Sequence, residues 1–146
     1  MKLQGTFSVR APRDHVFAFL LDPHRLSACI EDPHTLDILD LDRFRGTLKS
    51  GIGPIKGTFT WSATVAERAP TERARIKVHG TGMGSAFDID ATIALSGAQA
   101  STTASWRAEV TLSGTIASLG ARLMQTTIEK KTNTFFENVR RQLESA

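Results

Sequence analysis

The stretch from Gly51 to Phe59, GIGPIKGTF, carries the residue types of a phosphate-binding loop: closely spaced glycines and a lysine. Such a loop needs GxxxxGK[ST] between a strand and a helix N-terminus, so that backbone N–H groups and the lysine converge on the phosphates. Gly51, Gly53 and Gly57 lack that spacing, Lys56 precedes its glycine, and Thr58 opens a strand pattern. The stretch therefore reads as a hairpin turn. Pro54 cannot donate to a central ladder and belongs in the turn. Ile52 and Ile55 become hydrophobes at the tip or rim, open to a membrane or a partner, unless they fold back over the core.

Five carboxylates lie between Glu31 and Asp42 in EDPHTLDILDLD, which is chemistry for a hard cation. The run lacks the glycine and terminal glutamate of a calcium loop, and solvated strand ends and turn caps account for it better. Asp88 and Asp90 could form a general acid–base pair only inside an apolar pocket. The alternation puts Phe87 and Ile89 inside and both acids outside. His15, His24, His34 and His79 are too scattered for HExxH or another metal-ligand pattern, and exposure is the expectation for His15 and His79. No GxSxG or Cys–His motif supplies a nucleophile. Cys29 is the only cysteine, so no disulfide forms within the chain. That fits a reducing cytoplasm, and Cys29 reads as a small, partly buried apolar residue. The expectation is a noncatalytic protein with no metal and no covalent cofactor.

Composition bounds the partners. The 18 basic and 15 acidic side chains leave a net charge of +3 without a basic run. That does not argue for nucleic acid and is compatible with an anionic membrane surface. A chain of 146 residues reads as a single domain, residues 1–146, large enough to fold on its apolar core. Its longest apolar run, Val16 to Leu21, is too short to cross a bilayer. The opening MKLQGTFSV alternates and has no apolar leader core. The expected location is the cytoplasm, or the inner face of the membrane as a peripheral protein.

Periodicity gives the elements. Residues 2–9 alternate as a half-buried strand. Pro12 and Asp14 suit the first turn of a helix reaching about Asp22, and Asp22-Pro23 stops it and starts another short turn. Strands are expected at 34–39, 42–50, 58–67, 73–82, 86–96 and 101–113, joined by short polar connections as an antiparallel meander. From Gly114 the period becomes helical, predicting a helix over about 115–143, roughly 42 Å long. Only that helix is long enough to cover the sheet. Among Phe59, Trp61, Phe87 and Trp106, the inward positions include the small residues Ala63, Ala91, Ala104 and Ala108, with Gly120 on the helix. An apolar cavity and tight helix-on-sheet packing account for this pattern equally.

GIGPIKGTF resembles the glycine-proline-lysine-glycine hairpin of the CoxG family, proteins named for a component of carbon monoxide dehydrogenase and belonging to the SRPBCC, or START-like, superfamily. LQGTFSVRAPRDHVFAFLLDPHRLSACI is similar to that family's first strand, Ala-Pro helix start, Asp-Pro helix end and Cys-Ile segment. GTIASLGARLM, residues 114–124, is similar to the start of its last helix. After Cys29-Ile30 this chain has Glu31-Asp32-Pro33, where members commonly have Pro-Gly. The resemblance implies an α+β helix-grip fold, START/Bet v 1-like. In it a curved antiparallel sheet of about seven strands wraps around a long C-terminal helix, with short helices after the first strand. It further implies a cavity for a hydrophobic small molecule, a lipophilic quinone or lipid, and a role in docking or assembling a molybdenum hydroxylase such as carbon monoxide dehydrogenase at the membrane. Candidate wall residues are Phe59, Trp61, Phe87, Trp106, Leu123, Met124 and Ile128. A cyclase/aromatase-type enzyme of the same fold, needing polar groups in the cavity, and a ligand-free protein-interaction module are the alternatives.

Overall fold

The computed structural model describes residues 1–52, 55–97 and 99–145, with only the backbone of Ile52 and Ile55. In chain order come β1 (Lys2–Val9), α1 (Arg13–Leu20), α2 (Pro23–Ala28), β2 (Asp37–Ile38), β3 (Arg43–Ile52), β4 (Ile55–Ala69), β5 (Arg73–Gly82), β6 (Ser85–Ser96), β7 (Thr102–Gly114) and α3 (Ala121–Glu144). The strands form one seven-stranded sheet in the order β1-β7-β6-β5-β4-β3-β2, with every pair antiparallel. This is the helix-grip architecture: a meander that closes by bringing β1 to the β7 edge. Short connections set the meander, since adjacent antiparallel strands need only a tight turn.

The β1 and β5 ranges match the alternating pattern residue for residue. The β3–β4 ladder runs out to Ile52 opposite Ile55, so GIGPIKGTF is a hairpin on its backbone pairing. The Gly53–Pro54 turn and the Ile52 and Ile55 side chains lie outside the described residues. Asp22 caps α2 by accepting from the backbone N–H groups of His24 at 3.0 Å and Arg25 at 3.4 Å, with Pro23 at the first turn. This is the use for which both residue types are favoured.

Two expectations change. Residues 34–39 are a strand only at Asp37–Ile38. The preceding residues lie along β3 through a bridge between His34 and Leu48 and a Thr35 N–H to Thr47 carbonyl bond of 2.9 Å. The final helix does not begin at 115. Residues Ala117–Leu119 make a 3-10 turn, and Gly120, at φ 96, breaks the path before α3 starts. That φ is one that glycine adopts cheaply, so Gly120 caps α3 and does not sit within it. At 24 residues, α3 is roughly 36 Å long.

The long helix does not cover the whole sheet. Among the strands it packs most extensively against β1. The Phe136 ring packs 5.0 Å from that of Phe7 and 5.2 Å from that of Trp106, and Val139 is buried with Val9, Val16, Phe19, Leu95 and Ala104. Of the β3–β6 half of the concave face, α3 covers only the part at Phe59, through Met124; the rest lies under the end of α1, α2 and the loop that follows. One long rod cannot follow a strongly twisted sheet from edge to edge. The gap left on the uncovered part is where the site lies.

Candidate functional site

Between the concave β3–β6 surface and α2 lies a cavity of about 340 Å³. This is within the usual range of small-molecule sites, roughly 300–1,000 Å³. Its floor is Phe44 and Leu48 of β3, Trp61, Ala63 and Val65 of β4, Ile76 and Val78 of β5, and Phe87 and Ile89 of β6. Its roof is Leu20, Leu21, Pro23, Leu26, Ile30 and Leu36, with Phe135 reaching in from α3. Ile30 both lines the cavity and is 38% exposed, so the cavity meets solvent at the α2 end.

The floor holds space because aromatic rings lie over glycines. Across the sheet Gly46 pairs with Trp61, Trp61 with Gly80, and Gly80 with Phe87. A Cβ on Gly80 would fall on the Phe87 ring, and one on Gly46 would meet the Thr35 carbonyl oxygen and approach the Trp61 ring. Each ring thus occupies the side-chain space that its glycine neighbour leaves vacant. The rings lean along the sheet and do not stand up into the cavity, and Ala63 between them adds little height.

The sequence-derived wall candidates separate. Trp61 and Phe87 line the cavity. Phe59 and Met124 are buried together with Ile116 in a neighbouring cluster, against which Ile128 and one side of Phe87 pack. Trp106 stacks on Phe136, and Leu123 is 40% exposed on α3. The roof residues escape a sequence reading because α2 is six residues long, too short for a helical period to show. Phe44 and Leu48 escape it because the phase of the segment around β2 and β3 is ambiguous. Phe135 carries only the signal of the apolar stripe on the final helix.

Two residues of this lining, Ser27 and His34, have polar side chains, but the surface presented to the cavity is almost entirely carbon. Ser27 Oγ lies 2.5 Å from His34 Nε2, and His34 Nδ1 lies 2.8 Å from the Asp32 carbonyl oxygen. The loop bearing His34 is pinned from outside. The Asp32 carboxylate accepts from Ser50 Oγ at 3.0 Å and Lys131 Nζ at 2.8 Å, and Asn138 Nδ2 donates to the Cys29 carbonyl at 3.0 Å. Cys29 itself is buried, and burial pushes its thiol pKa up, opposite to the shift that a reactive thiolate needs.

The outer face of the sheet is polar. Asp90 accepts two bonds from Arg75, at 2.9 and 2.6 Å, and this hydrogen bonding holds its carboxyl below the ordinary value. Asp88 lies 2.7 Å from exposed His79. Both acids thus sit outside the cavity. Of the carboxylates between Glu31 and Asp42, Asp37, Asp40 and Asp42 pair with Arg45, Arg43 and Arg68. Among the described residues, no group of three or more His, Cys, Asp or Glu is arranged to hold a metal ion. No helix among them is long and apolar enough to cross a membrane.

The sequence model of the CoxG family, described as a carbon monoxide dehydrogenase component, matches residues 5–144. No curated protein matches the sequence. Among solved structures, the chain is similar to a conserved protein from Geobacillus kaustophilus, with TM-score 0.90 at 21% identity, covering 98% of this chain and 95% of that one. A START superfamily protein from Mycobacterium smegmatis superposes with TM-score 0.78 at 11% identity, over 99% and 97% of the two chains. An aromatase/cyclase from Streptomyces sp. R1128 superposes with TM-score 0.74 at 11% identity, over 99% and 93%. At these identities the likenesses establish the fold.

Proposed function

The chain belongs to the CoxG family, whose name comes from carbon monoxide dehydrogenase, and we propose that it is a noncatalytic accessory protein that holds a lipophilic guest, a quinone or lipid, in the β3–β6 cavity. In this reading the loaded protein serves the membrane association or assembly of a molybdenum hydroxylase such as carbon monoxide dehydrogenase. The observation that carries the reading is the apolar cavity of about 340 Å³. A void walled by alkyl and aromatic groups offers water no partners and gains about 25 cal/mol for each Å² of guest surface it removes from water. Partly exposed Ile30 marks the end through which a guest would pass to and from a bilayer. A cyclase/aromatase chemistry calls for several polar groups facing the substrate, and the surface this wall presents is almost entirely carbon.

The test is a titration with ubiquinone-2, a short-chain quinone. Trp61 is read by its fluorescence in a Trp106→Phe protein, since Trp61 borders the cavity and Trp106 packs on Phe136. Quenching that saturates at one quinone per chain is expected. Quenching that rises linearly without saturation would reduce the interaction to surface partitioning and contradict the reading.

A further inference from the structure

The surface inside the β3–β6 cavity is almost entirely carbon. Ser27 and His34 turn their polar atoms to neighbours: Ser27 Oγ lies 2.5 Å from His34 Nε2, and His34 Nδ1 lies 2.8 Å from the Asp32 carbonyl oxygen. A quinone carbonyl, an ester or a charged group moved inside would leave its water and find no partner. Each such group lowers affinity by about tenfold or more. A methylene group carries no such penalty, and each one buried raises affinity about fourfold. The mouth is the opposite environment. Partly exposed Ile30 is followed by Glu31 and Asp32, and Lys131 of α3 reaches Asp32 at 2.8 Å. A polar end stays hydrated there. Volume sets a limit as well. A cavity of about 340 Å³ takes on the order of ten chain carbons, if each fills roughly the 30 Å³ of a water molecule.

We propose that the cavity recognises the hydrocarbon chain of its guest: the chain enters end-first, and the polar head stays at the Ile30 mouth beside Glu31, Asp32 and Lys131. This rests on the cavity reading above and narrows it to a chain-bearing lipophile selected by its tail. A quinone is then held by its isoprenoid tail, with its ring left at the mouth. A chain longer than the cavity can hold leaves its remainder outside with the head.

The probes are straight-chain fatty acids and alkyltrimethylammonium salts of graded length, kept below their micelle-forming concentrations, with ubiquinone-2 and its tailless counterpart ubiquinone-0. They are titrated by calorimetry at about pH 8, where the acids are ionised. In both series affinity is expected to rise about fourfold per carbon and to level off near about ten carbons. The opposite head charges change the level and not the slope. Ubiquinone-0 binds at least about tenfold more weakly than ubiquinone-2. In Ala63→Phe, whose ring takes part of the volume, the levelling moves to shorter chains. Ubiquinone-0 binding as tightly as ubiquinone-2, or affinity independent of chain length, puts the head inside; it overturns the proposal and leaves the cavity reading standing. A rise that never levels off, or one that levels at the same length in a folded Ala63→Phe, assigns the binding to the outer surface and overturns both. If no chain and neither quinone binds, both readings fall. Should Ala63→Phe not fold, the wild-type series and the two quinones decide alone.

Discussion

The rings of Trp61 and Phe87 owe their positions to residues with no side chain. Gly46 and Gly80 flank Trp61 across the ladder, and Gly80 also faces Phe87. The two glycines differ in what a methyl group would strike. At Gly80 it strikes the Phe87 ring, a side chain with the cavity beside it. At Gly46 it strikes the carbonyl oxygen of Thr35, fixed backbone that bonds to β3. Gly80→Ala is therefore expected to push Phe87 into the cavity, leaving the protein folded but weakening guest binding by about tenfold or more. Gly46→Ala is expected to lower stability by about 1–3 kcal/mol, because the backbone cannot yield as a side chain can. Chemical denaturation read beside ubiquinone-2 titration separates the two. Equal losses of stability, with binding intact in both, would show that these glycines do not shape the cavity.

Along the elements, the strands are legible in the sequence and the roof is not. Alternation over eight or more residues identifies a strand with one buried face, so β1, β5, β6 and β7 fall almost to the residue where the pattern puts them. Alternation also places Asp88 and Asp90 on the outer face. The two-residue β2 and the six-residue α2 fall below the length at which any period shows. α2 and the loop from Ile30 to Leu36 roof the cavity, so the part of the site least visible in the sequence is its cover. Periodicity starts the final helix six residues early because Ile116 and Leu119 continue its apolar spacing through the break at Gly120. On the outer face the Arg75–Asp90 pair joins β5 to β6. Arg75 holds the Asp90 carboxyl below its ordinary 3.8, so the pair stabilises the sheet above that value, and the contribution is lost as pH falls through the lowered one. With side chains 43% and 38% exposed, the effect is small and screened by salt. Asp90→Asn is expected to lower the thermal midpoint by a few degrees at most at neutral pH. The difference closes as pH falls below about 4. A gap that persists undiminished in acid would assign the loss to packing and not to the charge pair.

At the scale of the whole molecule, the cavity follows from a mismatch of shapes. A seven-stranded twisted sheet presents a concave face wider than one helix, and α3 crosses it obliquely, with Met124 near its start buried against Phe59 of β4 and Phe136 and Val139 farther on packed at the β1–β7 side. The rest needs its own cover, which α2 and its loop supply at a distance. Lys131 and Asn138 of α3 clip that loop from outside, so the roof is tied to the same helix that leaves the gap open. Native mass spectrometry of the wild-type protein and of Ala63→Phe, which places a ring in the cavity, tests this account most directly after incubation with bacterial lipid extract. A lipophile of defined mass on the wild-type chain, absent from an equally folded Ala63→Phe, is the predicted result. A wild-type chain that stays bare, or an adduct that Ala63→Phe retains unchanged, would contradict the claim that this cavity holds the guest.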